Sequence, residues 1–504
     1  MQSRISFGHL CSMVLLGATV FVVAPIFLFF SSNGWTLRLG LTWPLIAAAM
    51  IAFGCLVYPS GQTRAQMLTG SYWVFVLIFY GIAGVLQVGS NTFPHGKFVA
   101  ESYLFSAALM VLIGSLGFLS GTVLSEHFGG RVRMVSRVLY GRRFARDRTI
   151  IAAIVLIPTT IVLIMILGGF SALLLPRSET FGLLSENFGE GGGSMPIVVR
   201  AFVRLPIYVV AVAMTILHLC KDWTQPRRRT FSRILIGLLW LCALTVNNPI
   251  NSPRFWVGSI LIAGVLLFFY RWGRAAEPLM LAGLVIAFIF VFPYSDSFRH
   301  AIDPSATLAH IENTTAFGEL TGKADYDAFV QSAVAADYVD HNDYLYGENL
   351  VGAALFPVPR SIWPDKPRST GAIVGAYKNY SNLVVSMPLF GEFYMAGGYP
   401  MAFLGMLVVG WWLRSLEHYL TKDFDKKKLA WESGFAFAVY AVFAGQMFLL
   451  WRGTLIASMS NLVPVFLLMM ACTKKVRKQH PAVAATPESR QDGPADLAMA
   501  KTRN

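Results

Sequence analysis

The sequence predicts an all-α polytopic membrane protein with about twelve transmembrane helices and one large polar loop between the ninth and the tenth. Three observations predict it. Apolar runs of about 20 residues, the length that crosses a hydrocarbon core, recur along the whole chain. Of 504 residues, 55% are hydrophobic and 13% charged, where a soluble chain carries about 25% charged residues. The basic residues fall mostly in clusters between the apolar runs. A closed barrel also satisfies its backbone in lipid, but barrel strands alternate apolar and polar residues, and these runs do not.

The expected spans are 10–30, 41–58, 70–90, 102–121, 149–169, 199–220, 231–247, 255–270, 277–293, 387–412, 432–450 and 454–472. The first follows Arg4, is longer than a signal-peptide core and has no A-x-A-like site after it, so it reads as a retained span. Pro44, Pro158, Pro206 and Pro388 lie within spans, where neighbouring helices re-satisfy the freed carbonyls. The chain thus divides into helices 1–9 (1–293), a large loop (294–386), three further helices (387–472) and a charged, Pro-containing tail (473–504) that reads as disordered. Cys11, Cys55, Cys220, Cys242 and Cys472 share no motif spacing, which argues against a disulfide framework or a zinc site.

Orientation follows from the basic residues. In a twelve-span arrangement, 28 of the 41 Lys and Arg fall on one side, chiefly in 122–148, 221–233, 414–430 and the tail. Both termini are therefore expected in the cytoplasm. This asymmetry accounts for the formal net charge of +14. Short basic clusters beside spans suit anionic membrane lipids, and no nucleic-acid partner is expected.

The unusual residues concentrate in the outer loop. Its motif Pro359-Arg360-Ser361-Ile362-Trp363-Pro364-Asp365-Lys366-Pro367-Arg368 is stiffened by proline. Such a loop holds Arg360, Lys366 and Arg368 towards an anion, or rests them on lipid headgroups. Arg200 and Arg204 share one helix face and either meet substrate or snorkel to the interface. Glu392 begins an apolar span, as a functional group or as a structural partner of one of these arginines. Arg254 follows a turn-rich outer segment and Arg452 lies in the turn between the last two spans. Tyr338, Tyr344, Tyr346, Trp363, Tyr377 and Tyr380 suit sugar faces as well as a membrane-interface belt. Asp325-Tyr326-Asp327 reads as solvated acids rather than a metal site, and His341, among Asp340, Asn342 and Asp343, as a solvated residue or a base.

Four motifs together resemble the bacterial oligosaccharide repeat-unit polymerases, the Wzy-type O-antigen polymerases. They are Phe292-Pro293-Tyr294-Ser295-Asp296-Ser297-Phe298-Arg299, Tyr326-Asp327-Ala328-Phe329, the Pro-Arg-x-x-Trp-Pro-x-Lys-Pro element over 359–367, and Ser386-Met387-Pro388-Leu389-Phe390-Gly391-Glu392-Phe393-Tyr394. Ala396-Gly397-Gly398 stands where a Phe-Gly is usual in the family. The resemblance is sharpest over 290–415. It implies a GT-C-like inner-membrane glycosyltransferase that joins undecaprenyl-diphosphate-linked oligosaccharides on the periplasmic face, with a chain-length regulator as a further partner. The diphosphate is already a good leaving group, so no metal or other cofactor is required. In that chemistry Arg254, Arg299, Arg360, Lys366 and Arg452 stabilise the leaving diphosphate, with Arg368, Arg200, Arg204 and Trp363 as further substrate contacts. Glu392, and after it His341, would accept the acceptor hydroxyl's proton. An O-antigen ligase-type transferase shares donor and architecture. A twelve-helix transporter would place its ionisable groups at mid-membrane between repeats, and no internal repeat is visible.

Overall fold

A computed structural model of the chain describes residues 7–31, 35–58, 66–96, 99–128, 139, 141–166, 169–170, 203–220, 226–250, 252–269, 276–295, 308, 311–380, 385–421 and 434–475. The first half contains α1 (Phe7–Ala18), α2 (Leu39–Val57), α3 (Met67–Phe75), α4 (Glu101–Phe128), α5 (Arg146–Ile166), α6 (Leu205–Leu219), α7 (Pro226–Val246), α8 (Arg254–Phe268) and α9 (Ala276–Ile286). Helices α1, α3 and α9 each run on through a π-helical turn, Thr19–Val23, Val76–Ile82 and Ala287–Val291 respectively. The polar segment holds α10 (Ala316–Gly322), α11 (Ala328–Asn342), α12 (Glu348–Ala354) and α13 (Thr370–Tyr377). Then come α14 (Leu389–Thr421), α15 (Gly434–Arg452) and α16 (Leu455–Ala471).

Among the described residues nine helices are long and apolar enough to cross a membrane, and Leu205–Leu219, Arg254–Phe268 and Leu455–Ala471 are shorter apolar helices. The chain is thus an all-α, multi-pass membrane protein. Outward faces carry the matching signature. Ile151, Ile154 and Val155 of α5 and Ile234, Leu238 and Leu241 of α7 are exposed, apolar surface that a bilayer covers. One detail departs from all-α: β1 (Arg142–Phe144) pairs antiparallel with β2 (Thr473–Lys475). The first residues after the last helix are therefore a strand and not a free tail. Residues 476–504 lie outside the described residues.

The centre is built from helices that are apolar all round, as fully enclosed helices are. Every residue from Met67 to Tyr80 is buried. Against this centre, α4 and α14 pack backbone to backbone. A Cβ on Gly117 would fall on the Phe403 carbonyl, one on Gly121 on the Leu407 carbonyl, and one on Gly410 on the Phe118 carbonyl. Apolar surface gains nothing by leaving lipid for another helix, so close approach through small residues supplies the contact energy.

Two boundaries need correction. The expected cytoplasmic loop 414–430 begins inside α14, which continues to Thr421. Arg414 is not a headgroup-facing cation: it is 3% exposed, 2.7 Å from Glu126 and 3.4 Å from Glu417. Its partner Glu417 accepts from the Leu68 N–H at 2.8 Å and the Thr69 hydroxyl at 2.7 Å. Glu277 accepts from the Gln66 N–H at 2.6 Å. These carboxylates satisfy the orphan N–H groups that open α3. The second correction is a kink in α14 at Gly397 and Gly398, so its first turns form a separate short helix, Leu389–Ala396, facing the polar segment.

Candidate functional site

The bundle offers fixed hydrogen-bond partners to the described part of the polar segment, 311–380. Gln87 donates to the carbonyls of Leu320 and Tyr326, both at 2.9 Å. The Tyr326 hydroxyl donates to the Phe288 carbonyl at 2.6 Å, and its ring stacks on Phe79 at 5.3 Å. Tyr80 donates to the Ala328 carbonyl at 3.1 Å. Small residues on α11 (Ala328, Ser332, Ala333, Ala335, Ala336), all buried, let this helix lie directly on the π-turned part of α3. Within this segment a 3₁₀ turn, Ala324–Tyr326, leads into α11.

That turn carries a cluster of ion-paired side chains. Asp325 is ion-paired with Arg254. Arg254 also donates to the Ser295 hydroxyl at 3.0 Å and lies 5.2 Å from the centroid of Phe292. Asp327 is 1% exposed. Its Oδ1 accepts from Arg452 Nη2 at 3.0 Å and from the Ser386 hydroxyl at 2.5 Å, and its Oδ2 is 3.1 Å from His95 Nε2. Arg452 further donates to the carbonyls of Asp325 and Ala324 at 3.0 and 2.6 Å, and lies 4.8 Å from the centroid of Phe255. Burial works against the Asp327 charge. The Arg452 guanidinium and the His95 and Ser386 hydrogen bonds outweigh it and hold the carboxyl below its ordinary value. Asp325 and Asp327 are therefore buried or part-buried partners of two arginines, not solvated surface acids. The reason is tertiary: Arg254 and Arg452 lie 71 and 125 residues from their acids.

Glu392, 2% exposed, sits beside this cluster but pairs with no described arginine. Its Oε1 accepts from the Thr370 hydroxyl at 2.6 Å and the Leu455 N–H at 2.7 Å, and its Oε2 from the Asn349 amide at 2.9 Å. The carboxylate thus ties together α12, the first turn of α13 and the first turn of α16, where its charge suits the helix N-terminus.

The Pro-Arg loop folds on its own cations. Arg360 donates to the Lys366 carbonyl at 2.7 Å, and Lys366 donates to the carbonyls of Phe356 and Val358 at 2.6 and 2.9 Å. Trp363 closes two turns through its backbone and is half-buried. Arg360 and Arg368 are exposed, as is Ile362 at 75%. The loop is stiff, as its prolines imply, but much of its donor capacity is spent internally.

His341 stands apart. Its Nδ1 is 2.9 Å from the Asp337 carbonyl and its ring is half-exposed. Asp337 also accepts from Tyr377 at 3.1 Å and is ion-paired with Lys378. Tyr344 and Tyr346 are exposed, while Tyr380 is buried. Arg204 is half-buried where α6 begins. Arg200 and Arg299 lie outside the described residues.

Sequence reasoning overlooked His95, Asn349 and Thr370. The available signals were weak: Pro94-His95-Gly96 announces a turn, and Asn349 and Thr370 look like ordinary helix-start residues. Among the described residues no group of His, Cys, Asp and Glu is arranged to hold a metal ion. No protein-family model, curated protein or solved structure matches the chain.

Proposed function

We propose that this protein is a glycosyltransferase that polymerises undecaprenyl-diphosphate-linked oligosaccharide repeat units into a surface polysaccharide such as O-antigen. It would act at the periplasmic face of the bacterial inner membrane, with a GT-C-like bundle of twelve crossings and both termini in the cytoplasm. The observation that carries this reading is convergence. Ser295, Asp327 and Ser386 come from three of the four motifs that resemble the polymerases, and at one end of an apolar bundle they meet Arg254, Arg452 and their acids. A polar cluster at the edge of the lipid phase suits a substrate whose tail is lipid and whose reacting bond lies at a diphosphate.

The reaction moves a growing glycan from its lipid diphosphate to a hydroxyl on the next unit. The anomeric carbon becomes oxocarbenium-like as the diphosphate leaves, and fixed donors stabilise that departure. Arg452 suits this role. Three of its contacts run through Nε and Nη2, and among the described residues its Nη1 donates to nothing. A guanidinium carries five N–H donors, so Arg452 is anchored with donors to spare. The Arg254–Asp325 and Arg452–Asp327 pairs are balanced in charge. The remaining positive charge for a diphosphate then comes from Arg360, Lys366 and Arg368.

The test is incubation of the purified protein with lipid-linked repeat units. A ladder of products supports polymerisation. Transfer of glycan only to lipid A core would make it a ligase, and movement of the substrate across vesicles without new glycosidic bonds would make it a transporter.

A further inference from the structure

We infer that His95, oriented by Asp327, is the group that takes the proton from the acceptor hydroxyl. The inference rests on the polymerase reading. It replaces Glu392 and His341 in that role.

Glu392 is poorly placed to act as a base. Both its oxygens already accept from donors on three helices or their first turns, and it is 2% exposed. His341 has the exposure, but its acid Asp337 is held by Lys378 and Tyr377, away from the arginines. His95 differs on both counts. Its side chain is 17% exposed, while its acid is 1% exposed, so the ring can be reached where the carboxylate cannot. It shares the Asp327 carboxylate with Arg452: the ring meets Oδ2 at 3.1 Å and the guanidinium meets Oδ1 at 3.0 Å. One carboxylate thus fixes both a proton acceptor and a phosphate-directed cation, which a transfer between an incoming hydroxyl and a leaving diphosphate requires.

The local backbone is committed to this placement. His95 has φ 67° and ψ 2°, a left-handed conformation that few residues other than glycine adopt without cost. The Phe93 carbonyl accepts from the Gly96 N–H at 3.2 Å and closes the turn. Tyr380 stacks on the imidazole at 4.7 Å with 24° between the planes. With Nε2–H donated to Asp327, Nδ1 carries the lone pair, and among the described residues it has no partner. In the step, the acceptor oxygen forms the new bond to the anomeric carbon. The bond from that carbon to the diphosphate oxygen breaks, and its electron pair leaves with the diphosphate. The hydroxyl proton moves to Nδ1 and from there to water.

The experiment uses the purified full chain with lipid-linked repeat units. Glycine is compatible with the left-handed backbone, so His95→Gly removes the ring at little conformational cost and leaves a space for added imidazole. The rate of ladder formation in His95→Gly should fall about 10²–10⁴-fold, the usual contribution of a general base. Imidazoles of graded basicity should restore it in proportion to their basicity. His95→Asn, which also tolerates this backbone and keeps a hydrogen bond to Asp327, should be as slow and should not be rescued. Rescue that ignores basicity would make the ring a structural filler and overturn the inference, as would full activity in either variant. A wild-type protein that forms no ladder overturns the polymerase reading and the inference with it. A wild-type ladder with active variants overturns the inference alone.

Discussion

Asp327 holds its charge at 1% exposure because three side chains from distant segments surround it: Arg452, Ser386 and His95. Arg452→Ala removes the guanidinium that does most to hold this charge and leaves the buried carboxylate without it, a loss of about 3–5 kcal/mol. Thermal unfolding in detergent should show the drop, and Asp327→Asn in the same chain should recover part of it. The acid limb follows from the same geometry. The carboxyl is held below its ordinary value, so its stabilisation is complete above the unfolded value, about 3.9. It is lost as pH falls through the lower folded value. Asp327→Asn should therefore be less stable at neutral pH and lose less on acidification, as read by unfolding at stepped pH. For Glu392 the expectation is structural. Glu392→Ala strands the Thr370 hydroxyl and the Leu455 N–H and leaves the Asn349 amide only its bond to the backbone carbonyl of residue 392, at about 1–3 kcal/mol for each group left unsatisfied. Its melting temperature should fall before any kinetic effect is measured.

Helix α14 owes its shape to two glycines and to the segment that fills its kink. Gly398 has φ 70°, and a Cβ there would lie 2.9 Å from the Tyr344 hydroxyl. The Leu345 N–H donates to the Met395 carbonyl at 2.7 Å, satisfying an acceptor that the kink releases. The glycine at 398 is thus explained by the tyrosine packed upon it. With ψ −162° as well, Gly398→Ala should destabilise by about 1–3 kcal/mol from backbone conformation alone, more with the Tyr344 contact, and Tyr344→Ala should relieve only the second part. Double-mutant unfolding measurements separate the two. In the Pro-Arg loop, Lys366 bridges two carbonyls of its own segment. Lys366→Met should therefore loosen the loop, seen as faster amide exchange over 356–366.

The whole molecule places opposite chemistry at its two ends. One gathers Arg254, Arg452, Asp325, Asp327, His95 and Glu392. The other gathers Glu277, Glu417, Arg414 and the β1–β2 ladder with its arginines and lysines. If the basic end faces the cytoplasm, a cysteine at Asp365 in a chain lacking its five native cysteines should react with an impermeant maleimide on intact spheroplasts. A cysteine at Lys475 should react only after lysis. The α4–α14 seam carries the global fold. Gly121→Leu would drive a side chain into the Leu407 carbonyl and should abolish the folded, monodisperse protein in detergent.

The sequence by itself determined the membrane class, the sites of the apolar helices and the presence of one stiff, basic loop. These follow from run length and residue type, which act locally and leave a periodic trace. It also brought Arg254, Arg452 and Glu392 to notice, because ionisable groups beside apolar runs stand out. It did not determine their partners. Read in one dimension, Asp325 and Asp327 are two acids in a polar stretch, and Arg360 and Lys366 are cations ready for an anion. Tertiary structure reverses the first reading and adds internal partners to the second. The acids are buried because arginines 71 and 125 residues away neutralise them, and the loop cations give donors to carbonyls a few residues away. Likewise His95 acquires its acid from a segment 232 residues on. Burial and pairing depend on which helix ends meet in space. In lipid that is decided by close approach at glycines and by polar groups seeking partners, neither of which has a period that a sequence displays.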